Sequence, residues 1–211
     1  MIIGICGLIG SGKGTVADIL TKEHGFKKIS FADSLKDGVS TIFNWDRKML
    51  EGDTKESRDW REKQDDFWSN ETGKEITPRL VLQLFGTECM RQGFFDGIWV
   101  SLVKQKILAN PDKNWVVPDV RFPNEVSTIS ELGGKVWQVR RGEKPLWWAT
   151  AIGVNQNYDS IQNNVHSMSV VFPDVHESEW RWVDEDRKFD TIIENDATLE
   201  DLKRQVLDHL S

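Results

Sequence analysis

Cysteine is scarce: the 211 residues hold only Cys6 and Cys89, too few for a disulfide framework. One falls in an expected strand and the other in an expected helix, which suits a reducing cytosol and marks both as small core residues. No stretch approaches the roughly eighteen consecutive apolar residues that a membrane-spanning helix needs. The apolar start Met1–Cys6 breaks at Gly7 instead of running to a cleavage site, so a soluble, untargeted, cytoplasmic protein is expected. A basic excess is also missing, with 27 Lys and Arg against 34 Asp and Glu, a net charge of −7 and a pI near 5.2. That balance argues against binding a nucleic acid polymer and leaves any phosphate site to a local cationic cluster. Internal repeats and low-complexity tracts are absent. The length fits one α/β domain over 1–211, and two domains of equal size are not expected.

Tryptophan, by contrast, is abundant, with ten residues. Trp45, Trp60, Trp68, Trp147, Trp148 and Trp180 fall in segments that read as loop or lid, where rings serve as pocket walls or as packing. Packing is the expectation for most of them.

The densest signal is Gly7-Leu8-Ile9-Gly10-Ser11-Gly12-Lys13-Gly14-Thr15, set between an apolar strand and the helical pattern Val16-Ala17-Asp18-Ile19-Leu20. Strand, glycine-rich turn and helix start together make a phosphate-binding loop. Its glycines let the backbone wrap a polyphosphate with N–H groups inward, and Lys13 brings a charge to the outer phosphates. Gly10, Ser11, Gly12, Lys13, Gly14 and Thr15 are therefore the expected ATP-binding residues. Gly14 stands where the common pattern has the Mg²⁺-binding Ser or Thr, and Thr15 follows one place later, an order familiar from adenylate-kinase-like nucleotide kinases.

Further along, strands are expected at 1–6, 27–32, 115–117, 135–139 and 190–193. Helices are expected at 13–24, from an Asp33 or Ser34 cap to Phe43, at 79–92 and 98–107, at 125–132, and from a Thr198 cap to the end. Residues 46–75 are charged and poor in aliphatics, an exposed excursion with one polar helix. Residues 143–188 lack clear periodicity and read as a lid-like insertion. Alternating strands and helices call for a three-layer α/β fold of the P-loop NTPase type, a central parallel sheet with helices on both faces.

In a parallel sheet the polar strand ends converge on one rim: the glycine loop, Asp33 and Lys36, Asp119 and Arg121, and Arg140 and Arg141. Phosphoryl transfer uses this mixture of cradle, metal carboxylate and cations. Asp119 is the candidate Mg²⁺ carboxylate, direct or through water, with a helix cap as the alternative. Arg121 bridges phosphates or makes a surface ion pair. Only one of Arg140 and Arg141 can face the site. Gly86 in mid-helix costs about 1 kcal/mol against Ala, which implies close approach by a ligand or another element. Gln83 reads a base edge or is a surface polar residue, and Trp99 stacks on a base or belongs to a core face.

Asp33-Ser34-Leu35-Lys36-Asp37, Arg79 to Glu88, Trp99-Val100, Val117-Pro118-Asp119-Val120-Arg121, Glu125, Gly133-Gly134, Val139-Arg140-Arg141 and Asn195 to Glu200 follow one another in an order that resembles the bacteriophage deoxynucleoside monophosphate kinases. The likeness spans nearly the whole chain, with 45–75 and 143–188 matching poorly. It implies transfer of the γ-phosphoryl of ATP to a deoxynucleoside monophosphate with Mg²⁺, supplying DNA precursors. Lys13, Asp119 and Arg121 would be catalytic and Arg140 would join the ATP site. Asp33, Lys36, Arg79, Gln83, Gly86, Thr87, Trp99, Arg121 and Glu125 would surround the monophosphate. The segment after strand 4 would act as a lid bringing Arg181 and Arg187 to ATP. Asn195 would follow the last strand, where backbone groups hold adenine and the side chain matters little. Related enzymes are often dimers, and the oligomeric state is open.

Two other readings compete. One is a P-loop kinase of another phosphorylated small molecule, since an Arg-rich acceptor site disfavours a neutral alcohol. The other is a nucleotide-dependent switch, disfavoured because the Asn-Lys-x-Asp base-reading motif is missing. His176-Glu177-Ser178-Glu179 lacks a second His at ligand spacing, and His166 lacks partners, so no metal centre is expected there.

Overall fold

The computed structural model describes residues 1–156, 168–183 and 189–210. The chain forms two compact units, one from Met1–Ile29 with Ile107–Ser211 and the other from Ser30–Lys106. The first unit is built on a five-stranded sheet ordered β2-β3-β1-β4-β5. Its strands are β1 (Ile2–Cys6), β2 (Lys27–Lys28), β3 (Trp115–Val117), β4 (Lys135–Arg140) and β5 (Thr191–Glu194). All four pairings are parallel, with Ile3 opposite Val116 and Ile5 opposite Trp137. Every strand therefore ends at the same rim.

Side-chain alternation along β1 serves two layers. Ile3 and Ile5 enter a core with Val16, Ala17 and Leu20 of α1 (Lys13–Glu23) and Leu202 and Val206 of α11 (Leu199–Asp208). Gly4 faces the other way, where an added Cβ would lie 3.0 Å from Ile129 of α7 (Pro123–Glu131). Helices thus cover both faces, as the alternating pattern implies. Thr198 and Asp201 close a capping box at the start of α11, Asp201 N donating to Thr198 Oγ1 at 3.2 Å.

The second strand is shorter than expected, two residues against 27–32. Asp33 Oδ2 accepts from Ser30 N at 2.9 Å and Ser30 Oγ accepts from Ala32 N at 3.0 Å, so side chains capture the backbone and turn it before the ladder can continue. For the same reason Asp33 does not cap α2 (Asp33–Phe43), whose N-cap position is Ala32.

The second unit departs most from expectation. Residues 46–75 carry two helices, α3 (Lys55–Arg61) capped by Thr54 and α4 (Asp66–Thr72) capped by Asp65. They build a small core: Leu50 is fully buried, and Trp45 stacks on Phe43 at 4.7 Å and meets Trp60 edge-on. These apolar residues are aperiodic, so the sequence pattern hid them. The helix expected over 79–92 is α5 (Pro78–Leu84) continued by a π-helix, Phe85–Gln92. Cys89, on that π-helix, is exposed and not a core residue, whereas Cys6 is buried. Helix α6 (Ile98–Leu108) follows, and this unit ends within it at Lys106.

Residues 143–188 include α8 (Trp148–Gln156), α9 (Met168–Val171) and α10 (Glu177–Trp180). Trp148 packs between Trp147 and Trp182, which is packing as expected. His166 and Arg187 lie outside the described residues.

Candidate functional site

The turn from β1 to α1 leaves the sheet at the rim and passes through Gly12 at φ 102, a left-handed conformation that glycine adopts without a Cβ penalty. No side chain caps α1, which leaves its N-terminus without a competing carboxylate or hydroxyl. Ser11 is buried and its Oγ has no hydrogen-bond partner among the described residues. A Cβ built on Gly7 would come within 2.8 Å of that oxygen, so the Ser11 hydroxyl lies against the start of the loop, and Ser11 N donates to Leu8 O at 3.2 Å. Gly14 and Thr15 are exposed on the first turn of α1.

Lys13 folds back along the loop, its Nζ donating to Gly7 O and Leu8 O at 2.7 Å each. Burial, and then the charge of Arg121, push its ammonium down to about 8; Glu179 and Asp119 oppose the shift without cancelling it. The same interactions put Asp119, Arg121 and Glu179 in one electrostatic neighbourhood with Lys13. Arg121 leaves the β3–α7 loop and reaches Glu179 Oε1 at 3.2 Å and Ser178 Oγ at 3.4 Å. Glu125 is almost fully buried, and its Oε2 accepts from Arg121 N at 2.6 Å and Phe122 N at 3.1 Å. It fixes the backbone that carries Arg121.

On the neighbouring strand ends, Arg140 Nε donates to Gln138 Oε1 at 2.8 Å and its guanidinium lies 3.5 Å from Glu194 Oε1. The Asn195 side chain donates to Ser11 O at 2.8 Å. His176 caps α10, its Nδ1 accepting from Ser178 N. Arg181 pairs with Glu177 at 4.0 Å.

The second unit gathers the other expected residues on α2, α5 and the π-helix. Gly86 is where the backbone is approached closely, since a Cβ there would lie 2.8 Å from Leu35 Cδ2. Trp99 is buried and donates through Nε1 to Gly86 O at 2.9 Å, so its indole braces the π-helix and sits on the core side of its two alternatives. Thr87 is buried on the same turn, and Gln83 is half-buried. Lys36 Nζ meets Glu51 Oε2 at 2.6 Å. Burial opposes the ionisation of Glu51, but hydrogen bonds and charge from Lys36 and Arg47 outweigh it and hold the carboxyl below its usual range. Arg79 pairs with Glu62 at 3.1 Å.

An uncapped glycine loop on a parallel rim, a depressed lysine, and a carboxylate and arginine beside it are the parts of a phosphoryl-transfer centre. No protein-family profile matches the chain. A protein of Acanthamoeba polyphaga mimivirus assigned as a deoxynucleotide monophosphate kinase is 33% identical over 153 residues, 67% of this chain and 74% of its own length. The chain belongs to the deoxynucleotide monophosphate kinase family. The deoxynucleoside-5'-monophosphate kinase of Escherichia phage T5 is 43% identical over 56 residues, 26% of this chain and 22% of its own. Among solved structures, TT1252 from Thermus thermophilus has 18% identity and a TM-score of 0.47, covering 100% of this chain and 95% of that one. A dephospho-CoA kinase from Campylobacter jejuni has 17% identity and a TM-score of 0.39, covering 99% and 95%.

Of the residues expected to serve this kinase, the first unit brings together Lys13, Asp119, Arg121 and Glu125, and the second holds Asp33, Lys36, Arg79, Gln83, Gly86, Thr87 and Trp99. Asp33 and Glu125 spend carboxylate oxygens on backbone N–H groups, and the Asn195 side chain is engaged with the loop. Sequence reading missed Ser178 and Glu179 beside Arg121. They lie 57 and 58 residues away in an aperiodic segment, and only chain folding reveals the contact.

The depressed Lys13 has a measurable consequence. Folding releases its proton between about 8 and the ordinary lysine value near 10.4, so its contribution to stability improves as pH rises through that window. Phosphate oxygens reverse the preference. ATP binding is expected to take up protons at pH 8.5, seen by calorimetry as heats that differ between buffers of different ionisation enthalpy. Identical heats across buffers would contradict it.

Proposed function

We propose that this chain transfers the γ-phosphoryl of ATP to a deoxynucleoside monophosphate, giving the diphosphate and ADP, in the cytoplasm. The observation that carries the reading is the meeting of Lys13, Asp119 and Arg121 beside a glycine loop in a member of this kinase family. The loop backbone and the α1 N-terminus would hold the donor phosphates. Lys13 would follow charge onto the transferring group, and Arg121 would span donor and acceptor oxygens. Arg140 would supply a further cation to the donor once released from Glu194.

Mg²⁺ fits this residue set as a shared ion. Asp119 supplies a hard oxygen near Lys13 and Thr15 offers an exposed hydroxyl at the loop exit. Among the described residues no three His, Cys, Asp or Glu side chains gather into a protein cage. Mg²⁺ commonly takes one or two carboxylates and completes its shell with water and substrate phosphates, neutralising their charge.

Lys36 and Arg79 would clamp the monophosphate, leaving Glu51 and Glu62 as it enters. Gln83 and Thr87 would line the nucleoside beside the Gly86 backbone. π-Turns are frequent at functional sites, which supports this region as the acceptor side. Assay of labelled ATP against all four deoxynucleoside monophosphates, ribonucleotides and phosphorylated sugars tests the assignment. Phosphorylation of a non-nucleotide alone would overturn it. Arg79→Ala is expected to raise KM for the monophosphate about tenfold and KM for ATP less than twofold, the scale of one charge-assisted hydrogen bond. The reverse ranking would move Arg79 to the donor side.

A further inference from the structure

Asn195 lies one residue beyond β5, 184 residues from the loop it touches. Its backbone is held from two directions. Asn195 N donates to Arg140 O at 2.8 Å, and the preceding Glu194 is clasped by the Gln205 amide, which donates to Glu194 O at 2.9 Å and accepts from Glu194 N at 3.1 Å. Asp196 Oδ1 accepts from Gly142 N at 2.8 Å, tying the same turn to the β4 exit. From this fixed base the side-chain amide donates to Ser11 O at 2.8 Å. The acceptor is a carbonyl, so the NH₂ end must face it. The amide also fills the space above Gly12, where an added Cβ would lie 2.2 Å from Asn195 Nδ2.

We propose that Asn195 is a positioning residue for the phosphate cradle, fixing the Ser11–Gly12 peptide and with it the direction of the Gly12 N–H. A trans peptide is planar, with its C=O and N–H pointing in opposite directions. Holding Ser11 O on Asn195 therefore aims Gly12 N–H away from Asn195. Gly12, free of a Cβ and already left-handed, is the residue at which this peptide would flip most easily. A flipped peptide presents a carbonyl oxygen to the phosphates in place of a donor. Asn195 prevents this without touching nucleotide.

The inference rests on the ATP-binding reading of the loop. Its test is calorimetric titration of the whole chain with ATP, inorganic tripolyphosphate and adenosine. Asn195→Ala is expected to weaken ATP and tripolyphosphate about tenfold, the scale of one lost hydrogen bond, and adenosine less than twofold. Asn195→Asp keeps the shape, sets an acceptor against Ser11 O, and is expected to weaken the two phosphates further; it also serves if the alanine variant does not fold. Unchanged phosphate affinity, or equal losses for adenosine and ATP, would overturn the proposal. Wild-type protein that binds ATP but phosphorylates no monophosphate would defeat the kinase reading and leave this one standing.

Discussion

Lys13→Ala is expected to lower kcat by about 10²-fold or more while the protein stays folded, because Lys13 is the cation proposed to gain most contact as charge moves in the transition state. In the structure its Nζ is spent on two loop carbonyls, Gly7 O and Leu8 O. Alanine removes a buried, poorly solvated ammonium, so stability is expected to hold or rise near neutral pH, where that charge is least favoured by folding. Steady-state kinetics and thermal unfolding together check the pair of effects. A folded variant with wild-type turnover would remove Lys13 from the mechanism.

Arg121→Ala is expected to lower kcat/KM for the monophosphate by about 10²-fold or more, on the scale of a planar cation lost from a phosphoryl-transfer site. Arg121→Lys should recover little, since an ammonium cannot bond two phosphates in the same plane. A separate signature marks its place beside Lys13. After burial, the charge of Arg121 does most to hold the lysine down, so its removal is expected to raise the pH at which ATP binding begins to take up protons. Calorimetry reads that shift without turnover. An unmoved onset together with wild-type kinetics would leave Arg121 as a mere partner of Glu179. Glu125→Gln should fall between wild type and Arg121→Ala, because one amide oxygen can still accept from Arg121 N and Phe122 N but without the carboxylate charge.

Local signals carried far in this chain. The loop Gly7 to Thr15, the Thr198–Asp201 box and the Thr77-Pro78 helix start depend on residues a few positions apart, and each lies where its letters put it. Strand and helix alternation specified a parallel sheet, because such strands need crossovers. The misses have a common form. The local pattern offers Asp33 or Ser34 as the cap of α2, yet the N-cap is Ala32 and the Asp33 carboxylate turns back to Ser30 N, where β2 stops short. Trp45, Leu50 and Trp60 form a core without any periodicity to announce it. The switch to a π-helix at Phe85 comes after Leu80 and Leu84, the apolar repeat that belongs to α5, so their spacing carries no sign of it.

By itself the sequence determined the cradle, the parallel sheet and the residue types at the strand ends, all products of short-range backbone chemistry. Tertiary structure alone decided which side chains those groups meet: Glu179 on Arg121, Leu35 against Gly86, Trp99 on Gly86 O and Asn195 on Ser11 O. Such pairings join residues from 13 to 184 positions apart, and their partners are chosen by where packed helices and strand ends come to rest, which no local pattern encodes.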